Sequence, residues 1–330
     1  MIDELCEQGN GRYPCVHAMH ATGELQPMTN CRLMPALFLL AWLAGIPAAA
    51  GAATRPQPRC SAPIETRAMT YNIRLDTPAD GPNQWQYRRA LVVAQIELAR
   101  PEILGFQEVL PGQRADLAAA LKGYRLLGGG RDDGKSAGEA SPLAIDRKVY
   151  RVVSSGMFWL SETPSVPSLG WDAAYRRVAS WAHLVRRADG ARVLAVNTHW
   201  DHLGAAAREG SARQLGQWLK ANKGKGEAAI LIGDFNAPLG EASLQHLLHG
   251  AGGGLALRDA RAAAGASVTG TAITFNGFDP QPRAGQTIDH ILVAGGIAVR
   301  RYHVLAEHFD GRVASDHFPV IADLALACRG

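Results

Sequence analysis

Short apolar runs that end in polar residues recur along this chain, and they predict buried strands whose ends carry reactive groups. In the clearest case, the apolar run Ala229–Ile232 is followed by Gly233, Asp234, Phe235 and Asn236. A run of this kind bounded by glycine is typical of a buried strand. Side chains two residues apart on an extended segment face the same way, so Asp234 and Asn236 are expected to project together. A carboxylate there can accept a proton from water, whereas an Asx turn that merely ends a core strand is the structural alternative.

The same pattern predicts further strands and several helices. Strands are expected at residues 66–73, 103–108, 152–160, 178–186, 192–198, 287–293, 298–305 and 318–325. Helices are expected from an Asn83 N-cap to Pro101, and at 113–121, 208–221 and 242–248. The buried face of the first helix is expected to carry Ala90, Val93, Ala94 and Leu98. The glycine-rich segment 128–134 is expected to be a mobile loop, and Asp132, Asp133 and Glu139 to be loop residues.

The amino-terminal segment has a different character. After Met28 come Arg32, an apolar block at 33–46, and small residues at Ala50 and Ala52. A positive residue, an apolar core and an A-x-A site are typical of a secretory signal peptide. The block is short for a bilayer span, although an amino-terminal membrane anchor is the structural alternative.

Three segments therefore follow. Residues 28–52 are expected to be a signal peptide, and residues 53–330 to be a single large folded domain. Residues 1–27 precede the second methionine and show no targeting pattern, so we interpret them as a start-site artefact or a disordered segment. A signal peptide predicts a periplasmic or secreted protein.

Composition and charge are those of an ordinary soluble enzyme. The 330 residues are 47% hydrophobic and 19% charged. Removing the two basic and four acidic residues before residue 53 from the 34 and 30 of the whole chain leaves 32 and 26, a net charge of +6. This balance permits an anionic substrate but lacks the Lys/Arg clusters typical of nucleic-acid binding. No segment indicates an obligate protein partner, so we expect a monomer.

Titratable and amide side chains gather at the predicted strand ends. They are Asn72, Glu108, Asn197, His199, Asp201, His202, Asp234, Asn236, Asp289, Asp316 and His317. Each residue alone is more often a solvated or structural group than a ligand. Their joint order, N…QE…NTHxDH…GDFN…TIDH…SDH, indicates one site built from several strand ends.

This order resembles the endonuclease/exonuclease/phosphatase superfamily, the pancreatic-deoxyribonuclease-like proteins, from Thr66 to Leu326. The resemblance implies an α/β fold, a four-layer α/β/β/α sandwich with two mixed β-sheets. It also implies hydrolysis of a phosphodiester or phosphomonoester with a divalent metal, Mg²⁺ or alternatively Mn²⁺. The segments GRDDG, FWLSETP and GWDAA resemble an uncharacterised bacterial branch related to the nocturnin-like deadenylases.

The resemblance also implies roles for individual residues. The metal-side residues are Glu108, Asn72 and Asp316, and the catalytic residues are His199, Asp234, Asn236, Asp289 and His317. In this scheme His199 contacts a phosphate oxygen, Asp234 positions or deprotonates the attacking water, and His317 pairs with Asp289. The substrate-binding candidates are Arg177, Arg131, Asp201 and His202, since arginine suits bidentate phosphate contacts.

Two other functions stay open at this point. The segment Asn197–His202 resembles the H-x-H-x-D-H motif of metallo-β-lactamase-like zinc hydrolases, except that Asn197 replaces the first histidine. A non-catalytic module that binds a phosphate ligand on the same scaffold is the second alternative. Within the enzymatic interpretation, the substrate is a nucleic acid, a lipid head group or a small phosphorylated metabolite.

Of the five cysteines, Cys60 and Cys328 follow the expected cleavage site. Asn72 belongs to the first strand and His317 lies beside the last strand. In the family, these two strands are adjacent and antiparallel. The resemblance therefore predicts a Cys60–Cys328 disulfide, in a compartment where disulfides persist.

Overall fold

The structure, a computed structural model, describes residues 64–327. These residues belong to one compact unit, Pro56–Gly330. The predicted segments 1–27 and 28–52 and both cysteines of the predicted disulfide, Cys60 and Cys328, lie outside the described residues.

Thirteen strands form two sheets. The first sheet has the order β10-β12-β13-β1-β2-β4-β3, and its strands are β1 (Ile64–Asn72), β2 (Ile103–Gln107), β3 (Tyr124–Leu127), β4 (Leu143–Asp146), β10 (Val268–Gly270), β12 (Ile297–Val304) and β13 (Val320–Leu326). The second has the order β5-β6-β7-β8-β11-β9, and its strands are β5 (Tyr150–Trp159), β6 (Val178–Arg186), β7 (Arg192–His199), β8 (Ala228–Asp234), β9 (Arg258–Asp259) and β11 (Asp289–Ala294).

Both sheets are mixed. In the first sheet β1 runs parallel to β2 and antiparallel to β13, and in the second β7 runs parallel to β8 while β11 is antiparallel to β8. The first and last strands of the described chain therefore pair with each other, with Glu65 opposite Ala325.

Five helices complete the fold: α1 (Trp85–Ala99), α2 (Pro111–Ala120), α3 (Ala205–Asn222), α4 (Ala242–His249) and α5 (Ala260–Ala264). One apolar core fills the space between the two sheets. A second core lies between α3, α4 and the outer face of the second sheet, and a third lies between α1, α2 and the first sheet. This is the four-layer α/β/β/α sandwich that the sequence predicted. Within residues 64–327, no helix combines the length and the apolar character needed to span a bilayer.

The buried face of α1 differs from the prediction. The helix begins at Trp85, and Leu98 is 66% exposed. The buried face carries Trp85, Arg88, Val92, Gln95, Ile96 and Ala99. Arg88 is fully buried because its guanidinium donates to the backbone carbonyls of Asn83 and Arg74. Hydrophobic periodicity assigns such polar residues to solvent. The predicted buried face of α1 therefore differs from the observed one.

Candidate active site

A cavity of about 600 Å³ lies where the ends of the two sheets meet. Nine of the twelve predicted site side chains line it: Glu108, Arg131, Arg177, His199, His202, Asp234, Asn236, Asp316 and His317. Asn72, Asp201 and Asp289 are buried next to it, each at most 1% exposed. Strand ends from both sheets therefore bring together residues that are more than 200 positions apart.

Strand register sets the centre of the cavity. Asp234 ends β8, where it lies opposite His199 of the parallel strand β7 and opposite Asp289 of the antiparallel strand β11. The three side chains consequently form a row across three neighbouring strands. His199 Nε2 is 3.4 Å from Asp234 Oδ2. A rigid sheet thus holds the row in place.

His317 and Asp289 form a hydrogen-bonded pair, with 2.9 Å between Nδ1 and Oδ2. His317 Nε2 lies 3.7 Å from Asp234 Oδ2. Burial alone would lower the pKa of His317, but the carboxylates of Asp289 and Asp234 outweigh it and hold that pKa well above its ordinary value. His317 is therefore an imidazolium.

The surroundings of Asp234 change the pKa of its carboxyl group. Burial, and next the negative charge of Asp289, raise the pKa of Asp234 to about 7. Its Oδ2 accepts a hydrogen bond from Asn72 Nδ2 at 3.0 Å, and its Oδ1 accepts one from the backbone N–H of Asn236 at 2.9 Å. A base poised near neutral pH is well suited to proton transfer at physiological pH.

Asn236 and His199 form a second pair beside Asp234. The amide of Asn236 donates from Nδ2 to His199 Nε2 and to the carbonyl of Trp200, both at 3.0 Å. Asn236 adopts a left-handed backbone conformation, with φ of +48°, as asparagine often does in turns. Burial, and then the positive charges of Arg177 and Arg131, lower the pKa of His199 well below its ordinary value. His199 is therefore neutral.

The opposite side of the cavity is acidic. The side chain of Glu108 accepts hydrogen bonds from Asn72 Nδ2 at 2.9 Å and from the backbone N–H of Leu75 at 3.0 Å. Burial, opposed in part by His317 and reinforced by the charge of Glu108, raises the pKa of Asp316. Two carboxylates that repel each other in a partly buried cleft are suited to share a hard cation.

Two groups of side chains could bind a metal ion. Ligand atoms of Asp234, Asp289 and His317 lie within 4.8 Å of one another. In this group His317 Nδ1 is already engaged with Asp289. The all-oxygen pair Glu108 and Asp316 fits a divalent ion of the magnesium type better.

Asn72 and Asp201 occupy places that differ from their predicted ones. Asn72 does not line the cavity; its amide bridges Glu108 and Asp234 from behind, so it positions both carboxylates. Asp201 accepts hydrogen bonds from Arg177 Nε and from four backbone N–H groups, those of Ala174, Tyr175, Leu203 and Gly204. No oxygen of Asp201 faces the cavity, because this side chain joins two loops instead of contacting substrate.

The predicted mobile loop at 128–134 is held by hydrogen bonds. The backbone N–H of Arg131 donates to the carbonyl of Glu139, and Trp159 Nε1 donates to the carbonyl of Arg131 at 2.7 Å. The guanidinium of Arg131 makes a bidentate contact with Glu139, at 2.9 and 2.6 Å. Glu139, expected only as a loop residue, thereby lines the cavity.

Several cavity residues were not predicted. Arg74 makes a bidentate ion pair with Asp80, both contacts being 3.0 Å, and lies 3.8 Å from both Glu108 and Asp316. Arg74 lies two positions after Asn72 in the same sequence motif, and this position could have been used to predict it as a cavity residue. Tyr175 and Phe275 are about half exposed at the cavity mouth, and hydrophobic patterning gives no reason to place them there.

Two stacked mixed sheets with a histidine–carboxylate cleft at one end place the protein in the class of α/β sandwich proteins. The chain belongs to the endonuclease/exonuclease/phosphatase family, whose model matches residues 69–317. The resemblance that the sequence motifs indicated is thereby confirmed.

Solved structures agree with this family. An endonuclease/exonuclease/phosphatase from Bacteroides vulgatus is 38% identical, with a TM-score of 0.75, and the match covers 80% of this chain and 100% of that chain. A mannosyl-6-phosphatase from Bacteroides thetaiotaomicron VPI-5482 is 34% identical, with a TM-score of 0.74, covering 79% and 100%. The human nocturnin catalytic domain shares the fold at 21% identity, with a TM-score of 0.63 and coverage of 82% and 96%. A search of curated protein sequences returned no significant match.

Proposed function

We propose that the protein is a Mg²⁺-dependent phosphoric ester hydrolase, with Mn²⁺ as the alternative ion, that uses water to cleave the ester bond at phosphorus. The observation that carries this proposal is the row His199–Asp234–Asp289 beside the imidazolium of His317. The row places a base, neutral donors and a fixed positive charge around one point. Hydrolysis of a phosphate ester needs each of these groups.

The side chains divide the chemistry between them. Asp234 takes a proton from the water whose oxygen forms the new bond to phosphorus, and the bond to the leaving oxygen breaks, so the leaving group departs as an alkoxide that takes up a proton from solvent. His199 contacts a phosphate oxygen, and the amide of Asn236 holds the His199 ring in place beside Asp234. The imidazolium of His317 stabilises negative charge as it develops on the phosphoryl group. Asn72 and Asp289 keep these groups in position from behind.

Glu108 and Asp316 would hold the divalent ion. When bound, such an ion neutralises charge on the phosphoryl group and lowers the barrier to attack. Arg74, 3.8 Å from both carboxylates, balances part of their charge.

The family narrows the substrate only to a phosphate ester. The relative at 34% identity is a mannosyl-6-phosphatase, which supports a phosphomonoester of a small metabolite for this chain as well. The signal-peptide pattern at 28–52 supports a periplasmic or secreted enzyme.

The position of Asn197 argues against the zinc-hydrolase alternative. The amide of Asn197 is fully buried between the sheets, where it donates to the carbonyl of Phe106 at 2.8 Å and accepts from Gln107 Nε2 at 2.7 Å. The residue that replaces the first motif histidine therefore points away from the cavity.

Hydrolysis of p-nitrophenyl phosphate and bis(p-nitrophenyl) phosphate, with and without Mg²⁺, tests the proposal. We expect activity that EDTA abolishes and Mg²⁺ restores. Asp234→Asn is expected to lower kcat by about 10²–10⁴-fold, because the base is lost while the shape is kept. Asp310→Asn, at an exposed aspartate outside the cavity, is the matched control. Full turnover by Asp234→Asn would contradict the role of Asp234 as the base, and absence of Mg²⁺-dependent turnover by the unaltered protein would favour a non-catalytic phosphate-binding module.

A further inference from the structure

One wall of the cavity carries five residues that the chemistry at phosphorus does not need. We call them the rim cluster: Arg131, Glu139, Tyr175, Arg177 and His202. They come from the 128–140 loop, the 161–177 segment and the turn after β7. The cluster lies on the same cavity as the catalytic row, so a ligand held by the row at its phosphate can reach it.

The rim cluster is balanced in charge. The Arg131 guanidinium is paired bidentately with Glu139, and Arg177 Nε lies 3.3 Å from Asp201. Each cation is therefore matched by its own carboxylate. A site for a second phosphate, or for the backbone of a nucleic acid, needs an excess of positive charge. The rim cluster has no such excess of positive charge.

The rim cluster also mixes donors with acceptors. Arg177 donates from Nη2 to His202 Nδ1 at 3.1 Å, which leaves Nε2 as the ring nitrogen that can donate a hydrogen bond. Glu139 supplies carboxylate oxygens to the cavity, and the Tyr175 hydroxyl can donate and accept. Alcohol hydroxyl groups, which also donate and accept, are the natural partners of such a wall.

The ring of Tyr175 adds an apolar surface, and neighbouring residues set the orientation of this ring. Its ring is stacked on His202 at 5.9 Å and lies 4.9 Å from the Arg131 guanidinium. Its backbone N–H is bound by Asp201, and the residue is nevertheless 52% exposed at the cavity mouth. An aromatic side chain presented beside hydroxyl-binding groups packs well against the C–H surface of a small ring.

We propose that the rim cluster binds the polyhydroxylated alcohol portion of the substrate, so the enzyme acts on the phosphate ester of a sugar or a cyclic polyol. This inference rests on the proposed phosphoesterase function. The cavity of about 600 Å³ agrees with it, because that volume suits a single small molecule rather than a polymer.

The test compares substrates that share a phosphate but differ in hydroxyl groups. Mannose 6-phosphate, glucose 6-phosphate and myo-inositol 1-phosphate are compared with p-nitrophenyl phosphate, using the full chain with Mg²⁺. Variant Glu139→Gln removes the negative charge and one acceptor oxygen, variant Tyr175→Phe removes the hydroxyl group, and both keep the shape of the side chain. For the best polyol phosphate, kcat/KM is expected to fall about tenfold relative to that for p-nitrophenyl phosphate, mainly through KM.

Two matched controls separate recognition from stability. Tyr87→Phe changes a tyrosine on α1 that is 54% exposed, and Glu209→Gln changes a glutamate paired with Arg213 on α3. Neither residue lines the cavity, so neither variant is expected to change the ratio of the two kcat/KM values.

The outcomes are distinct. An equal change for both substrate types in Glu139→Gln and Tyr175→Phe would overturn the rim assignment while leaving the phosphoesterase function intact. A higher kcat/KM for a single-stranded oligonucleotide or for sphingomyelin than for every polyol phosphate would also overturn it. Absence of Mg²⁺-dependent hydrolysis of any substrate would refute the phosphoesterase function, and the rim assignment with it.

Discussion

Two buried histidines of the same cavity have their pKa values moved in opposite directions because their charged neighbours differ. His199 is surrounded by the guanidinium groups of Arg131 and Arg177, whereas His317 lies between the carboxylates of Asp289 and Asp234. Pushing the pKa values of two like groups apart in this way favours the neutral form of one ring and the cationic form of the other. The residue type alone does not decide this; the strand that lies beside each ring does.

Replacing Asp289 by asparagine tests the charge of His317. The native pair keeps the pKa of His317 raised, so the imidazolium persists as pH rises through neutrality. In Asp289→Asn the raising charge is lost, and the proton leaves His317 at lower pH. We expect the alkaline limb of the pH profile of kcat/KM to move to lower pH, with a fall in kcat of about 10²-fold at pH 8.

The profile is measured at saturating Mg²⁺, with Asp310→Asn as the control. A uniform fall in activity at all pH values, without movement of the alkaline limb, would show that Asp289 matters only for stability.

Sequence reasoning located the catalytic row because strand ends are readable from period-two and apolar patterns. It misplaced Asp201, since an aspartate two residues after His199 looks the same whether it faces the cavity or binds loop N–H groups. It missed the exposed Tyr175, because the position of an aromatic side chain on a loop depends on packing against residues from two other segments. Long-range contacts of this kind leave no local signal.

At the scale of elements, the two sheets approach each other closely at Gly105 of β2. A Cβ added to Gly105 of β2 would lie 2.4 Å from Asn197 Oδ1 and 2.8 Å from Ile232 Cδ1. This absence of a side chain lets Gln107 Nε2 of β2 reach Asn197 Oδ1 of β7 at 2.7 Å. A buried amide bridge thus links the sheet carrying Asn72 to the sheet carrying His199.

Gly105→Ala is expected to lower the free energy of unfolding by about 1–3 kcal/mol, because the new methyl group overpacks the contact between sheets. Thermal unfolding followed by circular dichroism measures the change. Gly112→Ala, on α2, is the matched control, since an added Cβ there meets no atom within 4 Å and alanine favours a helix. Equal stability of the two variants would contradict the close approach of the sheets.

The longer strands and α1 to α4 were predictable from their apolar patterns, whereas β3, β4, β9, β10 and α5 were not predicted. β9 has two residues and β10 has three, too few to show any period. The start of α3 at Ala205, three residues before the predicted start, reflects the Asp172 carboxylate, which accepts from the N–H groups of Ala206 and Ala207. Such a cap comes from a distant segment and cannot be seen locally.

At the scale of the whole molecule, the pairing of β1 with β13 gives the predicted disulfide a structural context. Glu65 lies opposite Ala325, and Cys60 and Cys328 follow outward from these positions along the chain. We predict that non-reducing peptide mapping of protein purified from an oxidising compartment recovers a linked Cys60–Cys328 peptide. Reduction is expected to cost about 4 kcal/mol of unfolding free energy, in the chain-entropy model. Free thiols at both positions would contradict the prediction.

The pairing of β1 with β13 also determines the point during synthesis at which the first sheet can form fully. β1 occupies the middle of its sheet, between β13 and β2, so the last strand to leave the ribosome is an immediate neighbour of the first. Contacts between segments so distant in sequence form slowly, because a very long loop must close first. A nascent chain accordingly stays open until its synthesis is finished.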